Sequence, residues 1–549
     1  MNGDPRAPIS SEVLGRGGRL SRRQLVKLLG AGASAAAASP LIAACTPTQS
    51  APPAAATTAV AATPTRGGIL QIGYVTEIAS LDPHKSPGED SLRFFDLVYS
   101  RLLKLDKDLA PTGDLAETFD VSPDGLRYTF RLRGDTRFSN GDPLTSEDVK
   151  VSFDRILDPK TVAIGRSFFE SVKSIEAPDA RTVVFTQSAP NAALPVYLTS
   201  ANCAIVSAKL LRSGADLSNI TNALGSGPFK VDRWVPDSTM ELSRNPRFYE
   251  QGRPYLDGVK VNVIPNADSL IAAMRSGAID FTFTEDTRVG KLAAAGSLNV
   301  IKTADLARYQ LLVNTSRPPF DNVDVRTAIS YALDRTAIIA AASLGEGVPA
   351  GPLGGLPRFA LPATEFPSWK RDLTKARELL AKAGHPNGFR FELLTQQSNP
   401  GNAPLIAQAV QSQLKEVGIT ADIKLMEFAA WVQRWQKADF DMAPGRSAGA
   451  PDPDFLLFRY FYSKGNLNHI TGGWKSAELD QSLLKGQSTA DFAARKAAYD
   501  RVQKILVDGL PMIWLYSAFL YSLLGPRVRD FTPRANHTLD GLRDTWLAQ

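Results

Sequence analysis

The stretch FRFELLTQQSNPGNAPLIAQAVQSQLKEVGITADIKLMEFAAWVQRWQKADFDMAPG, residues 389–445, decides the fold. Residues 389–395 have the β-branched and aromatic character of a strand, and 405–417 carry the apolar spacing of a helix. Gly418 closes that helix, being the residue type that takes left-handed C-cap backbone at least cost. Ile419, Ala421, Ile423 and Leu425 alternate as a second strand, 428–438 read as a second helix, and 440–443 as a third strand. Strand, helix, strand, helix, strand at this spacing predicts parallel pairing through right-handed crossovers. Ligands in such sheets lie beyond the carboxyl ends of the strands, which singles out the loops 396–401 and 445–454.

Working outward, 69–75 reads as a strand, and Leu92, Phe95, Leu97 and Leu102 fall on a helix. Around Ser122-Pro123-Asp124-Gly125, residues 119–121 and 126–133 form a hairpin whose Leu126, Tyr128, Phe130 and Leu132 alternate with polar neighbours. Past the Asn140-Gly141 turn, Thr145 and Asp148 have the spacing of a capping box ahead of Val149, Phe153 and Ile156. Residues 181–187 read as a further strand.

At the N-terminus, Arg22-Arg23 with Leu25 and Lys27 precedes a weakly apolar, Ala-rich run that ends in Ile42-Ala43-Ala44-Cys45. Basic, apolar, then small residues is the order of a secretory signal. The arginine pair resembles the twin-arginine export motif, and the last four residues resemble a lipobox whose Cys45 becomes the acylated first residue. Residues 46–66, rich in Ala, Pro and Thr, read as a disordered tether. With Cys45 acylated, Cys203 is the one remaining thiol, so no internal disulfide forms.

The 549 residues exceed one ordinary core, so two or more lobes are expected. The formal charge of +6 is concentrated in the leader, where six Lys/Arg face only Asp4 and Glu12, leaving about +2 beyond it. No basic stripe with stacking aromatics follows, which argues against nucleic acid. His84, His385, His469 and His537 are scattered, so neither a built-in metal site nor a cofactor is expected. Asp452-Pro453-Asp454 reads as a helix-start device rather than a catalytic pair, and Phe455, Phe458, Tyr460, Phe461 and Tyr462 as core and cleft lining.

Several colinear blocks resemble the large extracytoplasmic solute-binding proteins of peptide, nickel and opine ABC importers, solute-binding protein family 5. They are Gly67-Gly68-Ile69-Leu70 with Ser80-Leu81-Asp82-Pro83-His84, then 130–133 with 138–149, Gly225-Ser226-Gly227-Pro228-Phe229, Asn245-Pro246 with 254–257, and Asn314 with Pro319-Phe320-Asp321. The resemblance runs from Gly67 to about Pro533. It implies an α/β, two-lobed periplasmic-binding-protein fold with an extra subdomain in the first lobe and the ligand between lobes. On that template 67–100, 225–303 and 512–549 form the hinge-side lobe, 101–224 the extra subdomain and 304–511 the second lobe. The implied protein is a monomeric lipoprotein outside the cytoplasmic membrane, delivering a peptide or peptide-like solute to an ABC permease with its ATPase subunits, and not an enzyme.

Two other classes compete with that reading. Gly445-Arg446-Ser447-Ala448-Gly449 fits the GxSxG nucleophile elbow of an α/β serine hydrolase using Ser447, with His469 and His537 later in the chain. Against it, Pro451 and Pro453 stand where the supporting helix would run, and no HGGG-like oxyanion loop occurs. A non-transport structural lipoprotein is the third class, separated from a binder by its lack of ligand-induced closure.

For the ligand, the resemblance aligns Gly449 with an Asp that holds the peptide amino group in peptide-binding relatives, so no carboxylate can act there. Arg446 offers a guanidinium to a ligand carboxylate, with a salt bridge to a nearby acid as the alternative. Glu77 beside Ile78 can hold an amine, Gln396, Gln397 and Asn399 supply neutral hydrogen-bonding groups, and Ser447 and Gly449 complete the candidate ligand contacts.

Overall fold

A computed structural model describes residues 63–548, apart from 77, 79, 87–88, 295–298, 398–401, 448 and 537. The export and lipidation residues Arg22, Arg23 and Cys45, most of the tether, Glu77 and Asn399 lie outside the described residues. The strand Arg390–Gln396 pairs in parallel with Thr420–Met426 along its whole length, and with Met442–Ser447 through Leu393 and Met442. The crossovers are the helices Ala403–Lys415 and Phe428–Gln436. The first of them buries Ile406, Ala407, Val410 and Leu414, one face at helical spacing. Gly418 follows it at φ +85°, so the left-handed turn read from the sequence is present.

Three antiparallel strands, Arg308–Val313, Met512–Ser517 and Val348–Pro349, complete this sheet at six strands. Apolar cores cover both of its faces: Leu311, Val313 and Leu393 lie in one, Leu312, Leu394 and Trp514 in the other. A second major sheet has seven strands, with Ile69–Tyr74 between Phe281–Thr284 and Gly258–Val263. Its core includes Leu70, Ile72, Phe94, Phe281 and Leu520. A separate four-stranded sheet holds the hairpin Ala116–Val121 and Arg127–Leu132, then Thr182–Gln187 and Val172–Asp179. The helix Ser146–Leu157 packs on it through Val149, Phe153 and Ile156. At its start the Thr145 N–H donates to Asp148 Oδ2 at 2.8 Å, the backward arm of the capping box.

The chain crosses between the two major sheets at two adjacent places. One crossing joins Asn299–Ala304 to Arg308–Val313, and the other joins Met512–Ser517 to Phe519–Leu524. The Asp305 N–H donates to the Ala518 carbonyl at 3.1 Å, tying the crossings together. The boundary expected at 512 therefore falls one strand early. Every residue of Met512–Ser517 is buried, and the strand pairs inside the second lobe's sheet, so return to the first lobe begins at Ala518.

Candidate ligand site in the interlobe cleft

A cavity of about 300 Å³ opens beside these crossings. The crossing itself supplies Asp305, Leu306 and Ala307. The turn after Met442–Ser447 supplies Gly449, Ala450, Pro451 and Asp452, at the carboxyl end of a parallel strand, where such sheets place their ligands. Arg93 and Asp96 come from the helix Glu89–Val98, and Phe168, Tyr197 and Asn202 from the subdomain. Both lobes and the subdomain thus contribute wall to one cleft.

Arg446 lies on its rim, and its Nη2 donates at 2.9 Å to both Glu285 Oε1 and Asp305 Oδ2. Glu285 follows the first-lobe strand Phe281–Thr284, so this guanidinium links the lobes through their hinge. Burial works against its charge, but Glu285 and Asp305 more than offset that and raise its pKa above the ordinary arginine value.

Deeper in, Asp452 caps the helix Pro453–Phe461 by accepting from the Asp454 N–H. It also takes a two-pronged ion pair from Arg495 at 2.6 and 2.8 Å. Asp454 accepts from the Tyr197 hydroxyl at 2.9 Å, joining the subdomain to the second lobe. Phe168 meets Phe455 edge-on at 5.3 Å along the same contact. Burial, with the Asp452 charge beside it, pushes the Asp454 carboxyl up to about 6.

Of the residues singled out in the sequence, Arg446 and Gly449 line the cavity. Ser447, 7% exposed, stands next to them and accepts from Gln310 Nε2 at 2.7 Å. Ile78 lies in the first-lobe core instead. Gln396 is buried and Gln397 exposed on the neighbouring strand's end, and neither lines the cavity. Gly449 has a steric cause: a Cβ there would stand 2.1 Å from Leu306 Cβ, so the crossing segment fills the space an Asp would need. Sequence reasoning passed over Glu285, Asp305, Arg93 and Asn202, which no motif or periodicity marks. Among the described residues, which do not include His537, no hydrolase geometry forms. Ser447 ends a strand rather than turning into a helix, and the exposed His469 Nε2 lies 3.1 Å from the Gln436 carbonyl oxygen. Among the described residues no three His, Cys, Asp or Glu side chains are grouped to hold a metal ion.

Two lobes joined by paired crossings, with a cleft beside the hinge, are the architecture of a two-lobed periplasmic binding protein. The chain matches the model of the bacterial extracellular solute-binding proteins, family 5, over residues 110–468. It is 27% identical over 483 residues to the glutathione-binding protein GsiB of Escherichia coli, covering 86% of this chain and 93% of that one. The solved structure of AgaA from A. tumefaciens with agropinic acid superposes with a TM-score of 0.69 at 30% identity, covering 88% of this chain and 99% of that one. DppA from Helicobacter pylori with the peptide STSA gives a TM-score of 0.69 at 26% identity, with coverage of 88% and 99%. The chain belongs to family 5 of the bacterial extracellular solute-binding proteins, which serve ABC importers and are not enzymes.

Proposed function

We propose that this chain captures a peptide or peptide-like solute in the interlobe cleft and delivers it to an ABC permease with its ATPase subunits. The observation that carries this reading is the cavity at the paired crossings, walled by both lobes and the subdomain and edged by the Arg446, Glu285 and Asp305 cluster. The named ligands of the relatives support it: agropinic acid, a peptide and glutathione are all small, charged organic solutes. The cluster is the polar anchor, and Ser447, Gly449 and Glu77 are proposed as further ligand contacts. A ligand amine can lodge against Glu285 and Asp305, whereas a carboxylate would first have to displace Glu285 from Arg446. We further propose export through Arg22-Arg23 and anchoring by acylated Cys45, with the monomer as the working unit.

A ligand walled by both lobes stabilises the closed state by its differential affinity for it. Small-angle scattering with glutathione and a set of di- to pentapeptides should show a smaller radius of gyration for any member that binds. Binding by calorimetry with an unchanged radius would remove cleft closure from the reading, and no binding by any member would remove the peptide-like ligand.

A further inference from the structure

Three arginines of the second lobe are buried without a carboxylate partner among the described residues, and two of them are satisfied by other means. Arg326 donates to the carbonyls of Phe320, Asp321 and Gly509 at 2.6–3.1 Å. Arg335 donates to the Trp514 carbonyl at 2.9 Å and to Ser330 Oγ at 3.0 Å, and lies over the Trp369 ring. Arg308 is different. It is 6% exposed, its Nε makes no hydrogen bond, and no ion pair forms with it among the described residues. Burial lowers its pKa to about 10, and the one ionisable neighbour that acts on it is the Tyr460 phenol. A guanidinium left this way is costly unless an anion joins it.

Its surroundings are also incomplete. Arg308 opposes Ser447 across the antiparallel pair, and Gln310, two residues on, shares that face of the sheet. Gln310 Nε2 donates to Ser447 Oγ, while Gln310 Oε1 is buried without a partner. The three side chains therefore present a guanidinium, a hydroxyl proton not yet donated among the described residues, and a bare amide oxygen. None of the three lines the cavity described above, but their chain neighbours Ala307 and Arg446 do.

Resting on the cleft reading above, we propose that Arg308, Ser447 and Gln310 form a second polar subsite that receives the ligand's carboxylate. The carboxylate pairs with Arg308 and accepts from the Ser447 hydroxyl, and an adjoining amide N–H donates to Gln310 Oε1. That donor and acceptor set matches the last residue of a peptide, in which a carboxylate adjoins an amide N–H. The Arg446 cluster is thereby left to the amine end.

The test uses the full chain, wild type and Arg308→Met, with Arg308→Gln as the second variant should the first fail to fold. Calorimetry compares peptides bearing a free C-terminal carboxylate with the same peptides amidated. In parallel, the Tm is followed in sodium acetate against matched sodium chloride. The wild type should prefer free carboxylates at least tenfold, and acetate should raise its Tm. Both effects should vanish in the variant, while amidated peptides keep their affinity within about twofold and the ligand-free Tm does not fall. A carboxylate preference and an acetate response that survive in the variant overturn the subsite, as does a variant that loses only stability. If no peptide binds the wild type, the peptide reading fails by itself, and the acetate comparison alone decides Arg308.

Discussion

Single residues in this cleft take their meaning from what surrounds them. Asp452 was legible as a helix-start residue, since an Asp before a Pro is a common cap, and it does cap Pro453–Phe461. Its partner Arg495, on the helix Phe492–Gly509, was not legible, because 43 residues separate the pair in sequence. Asp454 carries a consequence for stability. Its carboxyl is held at about 6 against an ordinary 3.8, so between those values the folded chain keeps a proton that the unfolded chain releases. Its favourable contribution is thus fully present below about pH 4 and is lost as pH rises through about 6. Asp454→Asn does not titrate, so its stability relative to wild type should improve between pH 4 and 7. The gain should be up to roughly 3 kcal/mol, at about 1.4 kcal/mol for each tenfold change in the protonation equilibrium. Denaturant unfolding at the two pH values measures it. A relative loss toward pH 7 would mean that Asp454 is ionised and well paired.

Elements were the most legible scale, because helix and strand periodicity are local. The five elements of 389–445 stand where the alternation and the helical stripe placed them, within a few residues at each end. Their ends were set by backbone demands that one residue type meets. Gly418 has φ +85°, and a Cβ on it would stand 2.9 Å from the Asn387 carbonyl oxygen. Gly418→Ala should therefore destabilise the chain by about 1–2 kcal/mol, the usual cost of left-handed backbone for an L-residue. Urea unfolding measures this, and an unchanged midpoint would show that the turn relaxes. The boundary at 512 came from the family template rather than from periodicity, and it cut off the last strand of the second lobe. Met512–Ser517 and Phe519–Leu524 read as one apolar run, and only the break at Ala518 sends them into different sheets.

At the scale of the whole molecule, the proposed leader and tether, residues 1–66, precede the folded body. Acylation at Cys45 would hold the body at the membrane, since multiple acyl chains bind firmly where one binds only marginally. Cys45→Ala should abolish fatty-acid labelling and shift the protein to the soluble fraction. Membrane retention without label would point to an uncleaved leader. Among the described residues no helix is long and apolar enough to cross a membrane. The sequence by itself determined the parallel sheet, the hairpin, the capped helix and the family. Each of these is written in side-chain period or in short colinear motifs, whose physics acts over a few residues. Tertiary structure alone decided which charges meet. Arg446 finds Glu285 and Asp305 across 161 and 141 residues, Gly449 yields its space to Leu306, and Arg308 is buried opposite Ser447 with no counter-charge among the described residues. The reason is that a charge is sensed through space, at a few ångströms and in a low-dielectric surrounding that exists only once the two lobes have folded beside one another.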